Sequence, residues 1–448
     1  MIRTLTSVLL TLGAVLATGP VAASAGLAAG PGAAVAATCQ GETPTITGSG
    51  GVDGTQGDDV ILALRGGPVR ALGGDDVICL DDSVRGFSVE AGPGDDRVLD
   101  RAGGYNLIRL GEGDDTYEAA AGDHHDSVEA GPGVDTVATG GGDDDVSTGV
   151  EGEPNVDVVD LGDGDDRLFL TGEDQAGASL DGGAGEDSLD ARRTSSGEAF
   201  LTPGDWLFDN VAGHATLDGQ TRLTWSGLEV FFLGGFGGTR QTFLGGPAAE
   251  RAVMDERHDP SADLGGGDDE LLLVATTIGV RRPIVGGAGT DLLEIENPQH
   301  LARVVASLPA GMVRTTFPAR EAPLPSPPAT SWTFTAFEGV GVLAPVVRVI
   351  GDAGPNRLSG DGCDVIVTGG AGPDVIDVSP LAFDEFSCPP PEDRSAVAVG
   401  QRGNDRLTGA NPYRETLVGG PGFDRAFGLA GEDVCAAERE ARCELDPG

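Results

Sequence analysis

A glycine- and aspartate-rich phrase repeats about every 20 residues along much of this chain. Four copies have the full pattern G-G-x-G-x-D, and they begin at Gly182, Gly286, Gly369 and Gly419. Looser copies, most of them G-x-G-D-D, surround these four. A short period that is kept over so many copies predicts a solenoid, in which each repeat adds a coil to a stack.

The residues of each phrase fit one turn and one strand. Glycines at positions one, two and four allow tightly curved backbone that a Cβ atom would forbid. Residues seven to nine then form a short strand whose position-eight side chain faces the core. The residues at position eight are Ile61, Ile78, Val98, Val146, Leu168, Leu189, Leu271, Leu293 and Ile376. The sequence therefore predicts an all-β fold, a right-handed parallel β-roll or β-solenoid that is irregular in the middle.

The acidic residues of the phrases are the candidate functional residues. Coils of a parallel solenoid stack about 4.8 Å apart, which brings the carboxylates at position six into register. Calcium takes six to eight oxygen ligands in a flexible geometry, and carboxylates with main-chain carbonyls supply them. The candidate Ca²⁺ ligands are Asp59, Asp76, Asp96, Asp115, Asp135, Asp144, Asp166, Asp187, Asp269, Asp291, Asp364, Asp374, Asp405, Asp424 and Asp433.

The spacing of these acids indicates two strands and two turns per coil. From Asp59 to Asp135 the acids follow one another at 17 to 20 residues, which predicts one acidic edge. From Asp405 to Asp433 they follow at 9 or 10 residues, with Glu415 included, which predicts that both edges are acidic. Between these regions Asp209, Glu229 and Glu250 keep a spacing near 20, so we favour one continuous solenoid over two separate domains.

The repeats divide the chain into segments. We expect a signal peptide, two regions of calcium-binding coils with a further short one between them, two degenerate β-rich segments and a C-terminal cap. In chain order these are residues 1–37, 38–190, 191–264 (degenerate solenoid or insertion), 265–294, 295–350 (degenerate, with a proline-rich loop), 351–436 and 437–448. Trp206, Trp225 and Trp332 fall in the degenerate segments. They are either a thicker core, which we favour, or stacking platforms for sugars.

The composition excludes some partners. The 72 acidic residues against 28 basic ones give a formal net charge of −44. Such acidity argues against nucleic acid and anionic membranes as partners. The composition also indicates that the chain is close to disorder when no ligand is bound, since few aromatic residues are available to offset the entropy of folding.

The N-terminus and the cysteines indicate export. Arg3 precedes an apolar run and small-residue cleavage sites, as in a Sec-type signal peptide, and no other segment is apolar enough to span a membrane. Six cysteines in an exported chain predict disulfides, and neighbour pairing gives Cys39–Cys79, Cys363–Cys388 and Cys435–Cys443. Zinc is the competing interpretation, but no C-x-x-C pair supports it.

With these motifs, the chain resembles the RTX (repeats-in-toxin, haemolysin-type) calcium-binding family, in particular small secreted members from high-GC bacteria. The opening Thr38-Cys39-Gln40-Gly41 and the closing Gly431-Glu432-Asp433-Val434-Cys435 are similar to the ends of such proteins. The resemblance implies Ca²⁺ as the bound ion and a β-roll, but no enzymatic activity. Two features depart from the toxins of the family, namely the N-terminal signal and the cysteines.

Three classes of function follow from the sequence. The first is a secreted calcium-binding protein with a structural, adhesive or cell-surface role, which folds on calcium outside the cell. The second is a carbohydrate-active β-helix enzyme of lyase or epimerase type; no H-E-x-x-H or G-x-S-x-G motif occurs, so we expect no enzyme. The third is a protein that uses the central aromatic residues to bind a surface. Cell-wall or extracellular polysaccharide is a candidate partner.

Overall fold

The structure is a computed structural model. It describes residues 38–81, 86–120, 122, 124–149, 156–171, 176–191, 203–234, 240–255, 259–274, 280–297, 303–316, 329–380, 388, 394–410, 414–429 and 433–443. The predicted signal peptide, residues 1–37, lies outside the described residues. The described residues all belong to one compact unit, Thr38–Gly448.

Short strands make up the described part of the chain, which contains no helix and therefore none that could span a membrane. The first sixteen are β1 (Ile46–Gly48), β2 (Val52–Asp53), β3 (Val60–Ala63), β4 (Pro68–Arg70), β5 (Val77–Leu80), β6 (Ser88–Pro93), β7 (Arg97–Asp100), β8 (Asn106–Glu112), β9 (Thr116–Ala119), β10 (Asp126–Glu129), β11 (Thr136–Ala138), β12 (Asp145–Ser147), β13 (Val158–Asp160), β14 (Arg167–Phe169), β15 (Ala178–Asp181) and β16 (Ser188–Ala191). The next fourteen are β17 (Asp205–Asp209), β18 (His214–Leu217), β19 (Gln220–Ser226), β20 (Val230–Leu233), β21 (Arg240–Leu244), β22 (Arg251–Asp255), β23 (Ser261–Asp263), β24 (Glu270–Val274), β25 (Ile284–Val285), β26 (Leu292–Glu296), β27 (Arg303–Ser307), β28 (Met312–Thr316), β29 (Thr330–Thr333) and β30 (Gly339–Leu343). The last ten are β31 (Val346–Ile350), β32 (Arg357–Gly362), β33 (Asp364–Ala371), β34 (Val375–Pro380), β35 (Ser395–Arg402), β36 (Arg406–Thr408), β37 (Glu415–Val418), β38 (Arg425–Phe427), β39 (Val434–Ala436) and β40 (Arg439–Ala441).

The strands form a parallel β-solenoid with two strands per coil, as predicted. One strand of each coil joins a sheet that runs the whole length of the described chain, from β2 through β16, β20 and β26 to β40, and all its pairings are parallel. We call it the long sheet. The other strand of each coil joins an N-terminal sheet, from β1 to β25, or a C-terminal sheet, from β27 to β39.

Two antiparallel three-stranded meanders interrupt this regular stacking. β17, β18 and β19 pair antiparallel with one another, while β19 adds to β15 and β17 adds to β21 in parallel. β27, β28 and β29 repeat the arrangement, and β27 adds in parallel to β31. The long sheet passes both places without a break, because β16 pairs with β20 and β26 pairs with β30. The middle of the chain is therefore irregular on one side only.

The core lies between the sheets and contains the side chains that the repeat predicts. All nine position-eight residues, among them Val98, Leu168 and Leu293, have no exposed surface. At the meanders the aromatic residues thicken this core. Trp206, Trp225 and Trp332 are at most 7% exposed, and Phe231 lies with its ring centroid 5.1 Å from that of Phe243. The interpretation of these aromatic residues as core is confirmed.

Three disulfides have the predicted pairing. The Cα atoms are 5.7 Å apart in Cys39–Cys79, 5.4 Å in Cys363–Cys388 and 5.9 Å in Cys435–Cys443. The last pair spans only eight residues, and it can close because the chain bends between β39 and β40 instead of forming a straight helix.

Candidate metal centre

Most of the predicted acids form columns along the two edges of the solenoid. The first acidic column lies in the turns that lead from the long sheet into the N-terminal sheet, where each member directly precedes a strand. Its members are Asp59, Asp76, Asp96, Asp115, Asp135 and Asp157.

The second acidic column lies at the opposite edge, in the turns that lead into the long sheet. It is longer and includes two amides among the acids. Its members are Asn106, Asp126, Asp144, Asp166, Asp187, Glu229, Glu250, Asp269, Asp291, Glu338, Asn356, Asp374, Asp405, Asp424 and Glu438. Near the C-terminus Glu415 and Asp433 form a short pair in turns that lead into the C-terminal sheet. Both edges are therefore acidic there, as the short spacing predicts.

At most steps one carboxylate oxygen accepts a hydrogen bond from the coil before it. The main-chain N–H of Asp59 donates to Oδ1 of Asp76 over 2.7 Å, and that of Asp76 donates to Oδ1 of Asp96 over 2.9 Å. The same bond joins Asp144 to Asp166 over 2.7 Å in the second column. These bonds hold the side chains in register and direct them into the turns.

The other carboxylate oxygen is buried and has no hydrogen-bond donor. This holds for Oδ2 of Asp76, Asp96, Asp115, Asp135, Asp144, Asp166, Asp187, Asp269, Asp291, Asp374, Asp405, Asp424 and Asp433, for Oε2 of Glu250 and for both side-chain oxygens of Glu415. A buried carboxylate oxygen without a partner is costly, and native proteins rarely leave one in place. A whole series of them calls for a cation, and oxygen is the ligand that calcium prefers.

Burial and like charge raise the pKa of these carboxyl groups. Desolvation, together with repulsion from neighbouring carboxylates of the column or its turn, raises the pKa of Asp96, Asp135, Asp144, Asp166 and Asp374 to about 7. Desolvation and Asp433 raise the pKa of Glu415 to about 9. Without a bound cation, the columns therefore resist ionisation.

The ends of the columns differ, because protein groups satisfy both oxygens there. Asp59 accepts from the hydroxyl of Thr45 and from the N–H of Thr55, and its pKa is lowered because these hydrogen bonds outweigh its desolvation. Oδ2 of Asp157 accepts from the N–H of Gly149 over 3.3 Å. The first column is thus closed by protein donors at both ends and open between them.

A buried tyrosine closes the N-terminal end of the second column. The Tyr117 hydroxyl lies 2.7 Å from Oδ2 of Asp126 and 3.1 Å from Oδ2 of Asp100, while the side-chain amide of Asn106 donates to Oδ1 of Asp126 over 2.8 Å. These four side chains are at most 3% exposed. Asp126 therefore has the place of a column residue, but its second oxygen already has a partner.

The meanders interrupt the second column twice. Glu229 and Glu338 replace aspartate in the coils that follow the meanders, and each accepts an N–H of the coil before through one oxygen over 3.0 Å. The residues directly before them, Leu228 and Phe337, are buried in the core. Neither turn has the glycine pair at positions one and two of the phrase. Gly227 keeps the glycine of position four before Glu229, and Ala336 stands at that position before Glu338.

The structure places every predicted ligand except Asp364 in a column or in the C-terminal pair. Asp364 begins β33, and its carboxylate forms an ion pair with Arg348 over 2.9 Å. A single residue, Cys363, separates β32 from β33, so no six-residue turn exists there. Asn356 is the second-column residue of that region.

Several column residues were not predicted, either because they lie outside the glycine phrase or, at Asn356, because an amide replaces the acid. Asp157, Glu338, Asn356 and Glu438 belong to this group. Their common signal is the position directly before a strand, a weaker mark than the phrase itself. In the described ranges no group of three or more His, Cys, Asp or Glu side chains gathers at one point.

The chain matches a family model described as the RTX calcium-binding nonapeptide repeat. The model matches in four copies over residues 120–151, 348–377 and 410–439. These stretches contain Asp126 to Asp144, Asp374, and Glu415 to Asp433. No curated protein matches the chain.

Proposed function

We propose that this chain, an RTX-like repeat protein whose nonapeptide repeats bind Ca²⁺, is an exported structural or adhesive protein that folds on calcium outside the cell. The proposed ligands are the predicted aspartates together with Glu250 and Glu415, except Asp364 and Asp59, whose two oxygens already accept protein hydrogen bonds. Their unpartnered carboxylate oxygens would bind the ions, and calcium accepts further oxygens from the main chain. We also keep the predicted segment boundaries as a proposal.

The observation that carries this proposal is the series of buried carboxylate oxygens without donors. Like charges one strand spacing apart repel by about 1–3 kcal/mol per adjacent pair at effective dielectric constants between those of protein surface and water. Several such pairs exceed the net stability of a typical domain. A cation that binds only the stacked coils removes this repulsion, so binding and folding are linked.

Export is supported by the cysteines and by the N-terminal sequence. Three disulfides connect all six cysteines, and disulfides persist in oxidising compartments. Two of the disulfides lie near the ends of the solenoid, where stacked coils lack a neighbour. We infer that residues 1–37 direct the export, after which the chain meets millimolar calcium.

A calcium titration of the oxidised protein tests the calcium-linked folding. We expect the β signal in far-UV circular dichroism to grow with calcium and to fall when the ion is chelated, with isothermal titration reporting several ions per chain. Magnesium is the control, because it demands a stricter octahedral geometry and keeps its waters. A full β signal and an unchanged melting temperature after chelation would contradict the proposal.

Fractionation of the producing cells tests export and the surface role. We expect the protein in the medium or the cell-wall fraction, and a variant without residues 1–37 inside the cell. Equal retention of both forms in the cell would contradict export. A screen for reducing-end or unsaturated products from polysaccharides tests the enzymatic alternative, for which we expect no turnover.

A further inference from the structure

Two adjoining grooves lie along the solenoid. The larger is on the outer face of the N-terminal sheet at the first meander, and the smaller is where β25 of that sheet meets the second meander. The larger has a volume of about 610 Å³, and its lining includes Leu207, Thr216, Arg240 and Thr242. The smaller, of about 480 Å³, runs along β25 and β29. Arg281 and Arg282 line both, so the two grooves meet at this pair. Volumes of this size are typical of small-ligand sites.

The charge of the larger groove is opposite to that of the chain. Three arginines, Arg240, Arg281 and Arg282, line it against two acids, Asp205 and Asp259. The chain as a whole carries a net charge of −44. Salt of about 0.1 M limits the reach of surface charges to about 10 Å, so the groove presents a local positive charge to a ligand inside it.

The three arginines have different surroundings. Arg282 is fixed, because its guanidinium donates to the carbonyl oxygens of Gln241 and Asp259 and to the Thr242 hydroxyl, the last over 2.7 Å. Arg240 lies between two carboxylates, 3.5 Å from Asp205 and 4.0 Å from Asp259. Arg281 is exposed and forms no ion pair with any residue that the structure describes. It is the arginine that is ready to accept an external anion.

The floor of the groove is neutral and suits a sugar ring. Leu207 pairs with Thr216 on one side and with Thr242 on the other, which places an aliphatic side chain between two hydroxyl groups. Sugar rings present C–H groups and hydroxyl groups side by side, and the carboxylates of Asp205 and Asp259 at the rim can accept from further hydroxyl groups.

We propose that this groove binds a carboxylated sugar unit of an extracellular polysaccharide, with Arg281 binding the carboxylate and Leu207, Thr216 and Thr242 contacting the ring. The proposal rests on the adhesive role proposed above and names its ligand class. It does not involve the acidic columns, which lie in the turns at the edges of the solenoid. A guanidinium matches a carboxylate with two parallel hydrogen bonds, which an ammonium or hydroxyl group cannot supply.

Trigalacturonate and its methyl ester are suitable probes, because they share the sugar and differ in charge. Binding is measured by isothermal titration calorimetry with the full oxidised chain in calcium-containing buffer. We expect the acid to bind and the ester to bind at least about tenfold more weakly, since a charge-assisted hydrogen bond is lost. Arg281→Gln should weaken binding of the acid by a similar factor. Arg65→Gln, an exposed arginine far along the sequence, is the matched control and should bind as the native chain does.

The outcomes separate this inference from the proposed function. A normal calcium response of Arg281→Gln in circular dichroism shows that the variant is folded. If the native chain folds on calcium but binds acid and ester equally, or binds neither, this inference is wrong and calcium-linked folding stands. Equal weakening by Arg65→Gln, or displacement of the sugar by equimolar acetate, would also overturn it, because the contact would then be a general charge effect.

Discussion

The column aspartates between the column ends use their two carboxylate oxygens differently. Oδ1 of Asp166 accepts the N–H of Asp144 and fixes the turn, while its Oδ2 is buried without a donor. The first oxygen therefore stabilises the stack whether or not an ion is bound, and the second stabilises it only with a cation. Asn356 is different, because its amide oxygen accepts the N–H of Asp352 in its own turn over 2.8 Å and its amide nitrogen donates to the carbonyl oxygen of Glu338 in the preceding coil over 3.1 Å.

Replacing one column aspartate by asparagine should therefore change the free energy of unfolding in opposite directions with and without calcium. In calcium-free buffer at pH 8, above the raised pKa of Asp166, Asp166→Asn removes a buried charge without a partner, so we expect the free energy of unfolding to rise by about 1–3 kcal/mol. In calcium the same substitution removes a ligand of the ion, and we expect the free energy of unfolding to fall. Urea unfolding in both buffers measures the two values. Asp160→Asn, an exposed strand position, is the control, and equal signs in both buffers would contradict the assignment.

Tyr117 predicts where the second column begins to bind ions. Its hydroxyl lies 2.7 Å from Oδ2 of Asp126, the oxygen that is free in Asp144. We therefore expect Asp126→Asn to leave the number of bound calcium ions unchanged and Asp144→Asn to lower it by at least one. Isothermal titration of the two variants beside the native chain counts the ions. A loss of one ion in Asp126→Asn would show that calcium displaces Tyr117.

At the scale of the turn, close approach of successive coils explains the glycines. Gly164 has φ of +149°, and a Cβ atom there would lie 2.0 Å from the carbonyl oxygen of Gly142 in the preceding coil. Gly57, by contrast, has open space around it and no positive φ. The same residue type is thus required in one turn and replaceable in another.

We expect Gly164→Ala to destabilise the folded protein by about 3 kcal/mol or more, since backbone strain and a clash with main-chain atoms add. Gly57→Ala should change the free energy of unfolding by less than about 1 kcal/mol. Chemical denaturation in calcium measures both. Similar effects of the two substitutions would mean that the coils can separate at Gly164 at little cost.

The regular turns and strands could be predicted from sequence, because the glycine phrase sets the turn, the acid and the core residue together. Leu168, buried in the core, and Asp166, in the column, follow from one phrase. The meanders could not be predicted. Asp209 keeps the spacing of a column acid but lies in β17. The pairing of strands in an antiparallel meander depends on tertiary contacts, which the repeat spacing does not reveal. Asp364 lies outside the columns for a related reason, because its G-x-G-x-D phrase leads from one strand almost directly into the next.

At the scale of the whole molecule, the two meanders share one pattern. Each adds strands on the side of the N- and C-terminal sheets and leaves the long sheet continuous. In both, a buried apolar residue and a glutamate replace the calcium phrase in the next turn, at Leu228-Glu229 and Phe337-Glu338. The second column is thereby divided into separate runs of aspartate turns. Aromatic packing at the meanders provides stability between these runs that does not depend on an ion.

The raised pKa values of the columns predict how the whole fold responds to pH. Burial raises the pKa of Asp96 and Asp144, among others, to about 7, whereas unfolded aspartate titrates near its ordinary value of 3.8. The calcium-free folded chain therefore holds more protons than the unfolded chain between about pH 4 and pH 7. Its stability is fully present below pH 4 and is lost as pH rises through 7, by about 1.4 kcal/mol per pH unit for each extra proton.

In calcium-free buffer we therefore expect the melting temperature to fall as pH rises from 5 to 8. In saturating calcium we expect the melting temperature to rise with pH over the lower part of this range. Protons and calcium compete for the same oxygens, so the affinity for the ion increases as pH rises. Thermal unfolding followed by circular dichroism at both conditions gives the two slopes. A calcium-free slope of zero would mean that the column carboxylates are not buried in the folded chain, and parallel slopes would mean that calcium binds elsewhere.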